Sequence, residues 1–308
     1  MKKIVLLSAI LGNPRIRRRM ETFVSYGFDV TYVFWSRDHG FRSNNEKETS
    51  GKHIRIQASN IRNPVKRFLE TKNVSKITYK HLKKLKPEIV YVFHTECLFA
   101  ANRYCKETNS KLILEISDLP AEWYLKKYPI LGKLMLFFVN RLISDVDAIV
   151  FTSPYFYTEY YKNKINISEK NVFVFENVPK KKVFENFEKV SSQKLRIGFV
   201  GTVRYLKSLE TLIRAIQGVK GLEVIIAGAG PQLGKLEKLK KNADNIHVTG
   251  GFDYEKDIKD IYSNIDIVYC VYDTSLLNVR LALPTKLYEA IICEAPIIVA
   301  SGTCLEKY

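Results

Sequence analysis

The sequence predicts an α/β protein made of two parallel-sheet domains in succession. Three observations carry this. Short apolar runs alternate with amphipathic runs along the whole chain, the pattern of strands covered by crossover helices. The alternation breaks once, over Asn177-Val178-Pro179-Lys180-Lys181-Lys182 and the polar residues to Lys194, and then restarts. The length of 308 residues suits two domains of ordinary size.

The elements follow in order. The run 3–10 is apolar behind two lysines, as a secretory leader would be. It gives way after Leu11 to Asn13, Pro14 and four arginines with no small-residue cleavage site, so it is read as a buried strand. Residues 15–26 form a helix stopped by Gly27, where a left-handed residue ends helices. Strands are expected at 29–35 and 53–57, with a polar loop to Ser50 between them. Helix 65–85 ends before Pro87, and strand 88–93, helix 97–108, strand 111–116, apolar helix 130–144 and strands 148–152 and 172–175 complete the first half. After the break come strand 195–200, helix 208–217, strand 222–227, helix 233–241, strand 246–248, helix 256–263, strand 265–270, helix 286–293 and strand 296–300. Two Rossmann-like domains result, 1–180 and 181–308. Ligands in such sheets bind at the carboxyl ends of strands, so the expected site is a cleft between the two domains.

Composition narrows the classes. The apolar fraction is 46% and the charged fraction 26%, as in globular proteins, and no run reaches the length of a membrane helix. Five cysteines stand without metal-ligand spacing and mostly inside apolar runs, which points to reduced core residues in a cytosolic chain and to no metal. The formal net charge of +17 favours an anionic partner. The basic residues are dispersed, many alternating with leucine on helix faces, which suits peripheral attachment to acidic lipid on the inner face of a membrane. No basic–aromatic interleaving marks a nucleic-acid interface, so nucleic acid is not an expected partner.

The loops carry the chemistry. Pro284-Thr285-Lys286-Leu287-Tyr288-Glu289 opens a helix with a lysine and a glutamate three residues apart. A helix start and a lysine attract phosphate, and a carboxylate accepts hydrogen bonds from a ribose diol. Both side chains could equally be a solvated helix face. Gly201-Thr202-Val203-Arg204-Tyr205-Leu206-Lys207 puts Arg204 and Lys207 on a strand-to-helix loop suited to a diphosphate clamp. Gly228-Ala229-Gly230-Pro231 superficially resembles a dinucleotide fingerprint, but its third glycine comes late and Pro231 interrupts the turn. Gly228 and Gly230 still permit close backbone approach to a nucleotide. In the first domain, Gly12-Asn13-Pro14-Arg15 and His94-Thr95-Glu96 follow strands, and His94 could act as acid, base or hydroxyl-orienting group. Glu115, Asp118 and Glu122 cluster after the next strand, where Asp118 or Glu122 could also cap a helix.

Taken in order and spacing, these segments resemble the family-4 retaining glycosyltransferases of the GT-B type over nearly the whole chain. Asn13 to Arg18 with Gly27-Phe28-Asp29-Val30-Thr31 resembles the family's opening, and Phe93-His94-Thr95-Glu96 its histidine loop. Glu115 to Glu122 is similar to its acidic segment, Gly201 to Lys207 to its phosphate loop, and Ile226 to Pro231 to its GxGP turn. Ile265-Asp266-Ile267-Val268 and Pro284 to Glu289 resemble its last two signatures. The resemblance implies transfer of a sugar from a nucleotide-sugar to a polysaccharide or lipid-linked saccharide, with retention of configuration and without a metal or other cofactor. It implies that Glu289 holds the ribose, Lys207 with Arg204 the diphosphate, Lys286 phosphate or sugar, and His94 the sugar. Gly12 and Asn13 would approach the donor, with Gly201, Gly228, Gly230, Pro284 and Thr285 around it, and Arg15, Glu96 and Asp118 would lie on the acceptor side. Three positions depart from the family. Leu281 stands where the first glutamate of Glu-x7-Glu is usual, Thr202 where the phosphate-loop arginine is usual, and the chain stops at Tyr308 ahead of a further strand and helices. The second domain is therefore read as incomplete, leaving apolar sheet surface open and activity reduced. The alternative function is a degenerate, non-catalytic nucleotide-sugar-binding protein.

Overall fold

The computed structural model describes residues 1–10, 14–37, 51–59, 61, 63–119, 129–240 and 243–308. The chain divides into two compact units, Met1–Glu176 and Asn177–Tyr308. The boundary falls four residues before the expected one, so the whole polar segment from Asn177 belongs to the second unit. Its apolar residues explain why: Phe184 is buried and packs edge-on to Tyr262 at 6.0 Å between ring centroids.

The first unit is a seven-stranded parallel sheet. Its strands are β1 (Lys3–Ser8), β2 (Asp29–Arg37), β3 (Lys52–Ala58), β4 (Ile89–Val92), β5 (Lys111–Ile116), β6 (Ala148–Phe151) and β7 (Val172–Val174), in spatial order 3-2-1-4-5-6-7. The order reverses beside β1, which is central and almost wholly buried, as its apolar run requires. Helix α1 (Pro14–Ser25) covers one face through Ile16 and Met20. Helices α2 (Pro64–Leu85), α3 (Leu98–Thr108) and α4 (Pro129–Ser144) form a packed row, α2 against α3 and α3 against α4. Trp35 of β2 is buried and donates its indole N–H to Thr78 of α2 at 3.0 Å. A short helical stretch over 154–161, not expected from the pattern, follows β6.

The second unit is a five-stranded parallel sheet of β8 (Leu195–Val200), β9 (Leu222–Ala227), β10 (Ile246–Gly250), β11 (Ile267–Cys270) and β12 (Ile297–Val299), in order 10-9-8-11-12. Helices α5 (Leu206–Ile216), α6 (Leu233–Leu239), α7 (Tyr254–Ser263), α8 (Leu277–Leu281) and α9 (Thr285–Ile292) connect them. Successive residues of β8 serve opposite cores. Ile197 and Phe199 pack with Leu209, Leu212 and Ile213 of α5, whereas Val200 packs with Ile258, Tyr262 and Ala290 on the other face. Gly198 leaves room for Ile265, whose Cδ1 lies 2.3 Å from where a Cβ would sit. Strand β11 begins at Ile267 rather than 265, because Ile265 turns into that core. At the entrance to the sheet, Arg196 is buried and pairs with Asp266 at 3.0 Å while donating to Asn264 at 3.2 Å.

Candidate functional site

Two turns at the carboxyl ends of β8 and β9 lie directly against each other. Gly201 donates its N–H to the Ala227 carbonyl at 2.8 Å, and Val203 donates to Ala229 at 3.0 Å. A Cβ on Gly228 would fall 1.8 Å from the Gly201 carbonyl oxygen, and one on Gly230 would fall 2.4 Å from the Val203 oxygen. Gly228 also has φ +153, in the region that glycine adopts without strain. These two glycines serve the packing of one backbone on another. Gly228→Ala is expected to destabilise the protein by about 3 kcal/mol or more, from overpacking plus backbone strain, measured by urea unfolding.

Gly201 has a different task. Its φ is +128, and a Cβ there would meet Lys286 Cε at 3.3 Å. The Lys286 side chain, 7% exposed, passes beside this glycine from the first turn of α9. Its ammonium ends 3.7 Å from the centroid of the Phe199 ring and 4.8 Å from that of Tyr272, and it donates to the Tyr272 hydroxyl. The rings favour the cation, but burial removes more hydration than they restore. Desolvation lowers the Lys286 pKa to about 8, against the smaller opposing pull of Cys270 and Glu289. An anion beside it would raise that pKa again.

Glu289 stands one turn further along α9 and is 3% exposed. Tyr254 donates its hydroxyl to Oε1 at 2.6 Å and Tyr262 donates to Oε2 at 2.6 Å. Burial, and then Glu289, push the Tyr262 hydroxyl well above the ordinary phenol range, so it stays a donor. Lys286, Glu289, Pro284, Thr285, Gly201 and Arg204 share a cavity of about 360 Å³, a size suited to a small ligand. Thr202, Tyr205, Phe252 and Tyr254 border it as well. Thr285 Oγ1 accepts from Asn177 at 2.8 Å, which fixes the start of α9. Arg204 is exposed at the rim. Lys207, Gly228 and Gly230 do not line the cavity, and Lys207 lies exposed on the first turn of α5.

In the first unit, His94 follows β4 and meets the end of β1. Its Nδ1 lies 3.3 Å from the Ala9 amide nitrogen and 3.2 Å from Ser8 Oγ. A backbone N–H can only donate, so Nδ1 offers its lone pair and the proton of the neutral ring sits on Nε2. That tautomer makes His94 a donor through Nε2. Glu96 pairs with Arg67 at 2.7 Å. Arg15 and Arg19 both pair with the fully buried Glu115, at 3.0 and 2.9 Å, and Tyr91 donates to the same carboxylate at 2.5 Å. Arg15 and Glu115 thus anchor α1 to the sheet. Asp118 is exposed, 3.4 Å from Ser117 Oγ. Gly12, Asn13 and Glu122 lie outside the described residues.

Residues 194–306 match the family of glycosyl transferases group 1. This match to a group 1 glycosyltransferase domain contains Arg204, Lys286, Glu289 and both tyrosines. No curated protein sequence matches the chain. Among solved structures, the chain is similar to sucrose-phosphate synthase from Thermosynechococcus elongatus, with TM-score 0.74 and 15% identity, covering 100% of this chain and 83% of that one. It is similar to Anabaena Alr3699/HepE in complex with UDP, with TM-score 0.70, 12% identity and coverage of 100% and 82%. A third is the lipopolysaccharide outer core galactosyltransferase WaaB in apo form, with TM-score 0.63, 15% identity and coverage of 98% and 81%. These likenesses show the fold: two parallel-sheet α/β units of GT-B type.

Within the glycosyltransferase-matched region, sequence reasoning missed Phe199, Tyr254, Tyr262 and Tyr272. A signal for two of them was present. Tyr254, Ile258 and Tyr262 recur at helical spacing on the core face of α7. A tyrosine on a buried stripe needs a partner for its hydroxyl, and a nearby carboxylate supplies it. Among the described residues, no group of three or more His, Cys, Asp or Glu side chains could hold a metal ion, and all five cysteines are free and buried.

Proposed function

We propose that this chain is a GT-B glycosyltransferase that binds a nucleotide-sugar in the cavity of its second unit. The observation that carries the reading is the meeting of a buried carboxylate, a buried lysine and an arginine around one cavity, inside the glycosyltransferase-matched region. Glu289, oriented by two tyrosines, accepts hydrogen bonds from a ribose diol. Lys286 and Arg204 bind the diphosphate and stabilise its charge as it departs, a task the reading assigns to these cations rather than to a metal ion. Complexes of Anabaena HepE with UDP and with UDP-glucose favour a uridine diphosphate donor. The sugar passes to a polysaccharide or lipid-linked saccharide with retention, by front-side attack of an acceptor hydroxyl on the anomeric carbon as the bond to the diphosphate breaks, the hydroxyl proton passing to the departing diphosphate oxygen.

Calorimetric titration with UDP, GDP and UDP-hexoses tests the donor reading; absence of binding to all of them at millimolar concentration would sink it. Arg204→Ala should weaken UDP about tenfold while leaving uridine unchanged, because one charge-assisted contact to phosphate is lost. A second reading, nucleotide-sugar binding without turnover, is favoured by Leu281, which is buried and apolar where the resemblance places a glutamate. Donor binding with neither transfer nor hydrolysis would select it.

A further inference from the structure

Helix α4 is apolar on both sides. Its inner side carries Val139 at 8% exposure and Ile143 at 0%. Its outer side carries Ile130 at 86%, Leu134 at 52%, Phe137 at 65% and Phe138 at 53%, with Lys133 and Arg141 exposed beside them and no acidic residue in the helix. The positions 130, 134, 137, 138 and 141 recur at helical spacing, so they form one outward stripe. Scattered surface hydrophobes need no explanation, but a contiguous stripe marks an interaction surface.

Neighbouring helices extend it. Helices α2, α3 and α4 each follow a strand of one parallel sheet, so their first turns stand at the same end of the row. There α2 exposes Phe68 and Leu69, and α3 exposes Phe99. Helix α2 carries Lys66, Arg67, Lys72, Lys76, Lys80, Lys83 and Lys84 against the single acid Glu70. Charge is concentrated in this unit: residues 1–176 hold 30 lysines and arginines against 17 acids, and residues 177–308 hold 19 against 15.

We propose that the outer face of α4, with the basic face of α2, docks on an anionic phospholipid surface. Large apolar side chains ringed by cations, with acids scarce, suit the boundary between headgroups and acyl chains. The helix is 16 residues, about 24 Å long, and lies along that boundary rather than crossing it. Among the described residues, no helix is long and apolar enough to cross a membrane. This surface belongs to the first unit, whereas the cavity proposed for the nucleotide is lined by residues of the second.

The test is flotation of the full chain with vesicles of phosphatidylcholine alone and of equal parts phosphatidylcholine and phosphatidylglycerol. The unaltered protein should float with the anionic vesicles, more weakly in high salt, and hardly at all with neutral ones. Leu134→Gln with Phe137→Gln should weaken anionic-vesicle binding at least about tenfold, with UDP binding and the unfolding temperature unchanged. Lys133→Glu with Arg141→Glu should do the same, and tests the idea if the first pair misfolds. Binding undiminished in both pairs, no binding by the unaltered protein, or light scattering that shows a dimer which the glutamine pair converts to a monomer would each overturn the proposal. The last outcome would assign the face to a second copy of the chain.

Discussion

Lys286→Met is expected to make the unliganded protein more stable at neutral pH and far poorer at binding UDP. The lysine ammonium is buried against two rings, and its pKa of about 8 compares with 10.5 for an ordinary lysine. Below pH 8 the ammonium is present in both folded and unfolded chains, and the folded state bears its desolvation, a cost of roughly 3 kcal/mol. As pH rises from about 8 to 10.5, the folded state releases the proton first and the unfolded state binds more. Stability therefore rises with pH across that window and levels off above it. The methionine variant lacks this rise, so the difference in unfolding free energy between the two proteins should shrink from pH 8 to 10.5. A difference that stays flat would mean the lysine is not desolvated. UDP affinity should fall between about tenfold and a hundredfold, with uridine hardly affected. Near pH 8.5, UDP binding to the unaltered protein should take up a proton, read from calorimetry in buffers of different ionisation enthalpy, and the variant should lose that uptake.

Glu289→Gln is expected to show a different signature: uridine and UDP should weaken together, by about ten- to a hundredfold. The side chain keeps its volume and one acceptor oxygen, so one of Tyr254 and Tyr262 retains its bond, and stability should drop by only about 1 kcal/mol. Glu289→Ala leaves both hydroxyls without that acceptor and should cost more, about 1–3 kcal/mol for the buried Tyr262 alone. Calorimetry with uridine and UDP, beside thermal unfolding, reads both effects. Unchanged uridine affinity in the glutamine variant would remove Glu289 from the ribose.

Much of the fold was legible because apolar period and turn chemistry agree along the chain. Lys3 to Ser8, Leu195 to Val200 and Leu222 to Ala227 are runs that only a sheet covered on both faces accommodates, and each is a strand. The segment before β8 was placed in the second domain by its position after the break, and Phe184, packed on Tyr262, shows the contact that holds it there, which a lysine-rich composition does not reveal. The site was legible where charge and spacing coincide. Lys286 and Glu289 share one face of a helix start, and both reach the cavity. Their burial was not legible, since it depends on Gly201, Phe199 and Tyr272, which come from distant segments. Gly228 and Gly230 illustrate the limit of a glycine motif: small residues permit close approach, but the sequence does not say of what. Here it is the Gly201 and Val203 backbone.

That backbone contact bears on how the pocket could be re-engineered. Because the turns after β8 and β9 interlock without side chains between them, a side chain added at Gly228 or Gly230 would force them apart and disturb the pocket wall at Gly201. Libraries aimed at a new donor should leave positions 201, 228 and 230 untouched and randomise Thr202, which borders the pocket and is exposed, whereas Tyr205 packs edge-on to Tyr272 and Phe252 packs on the core.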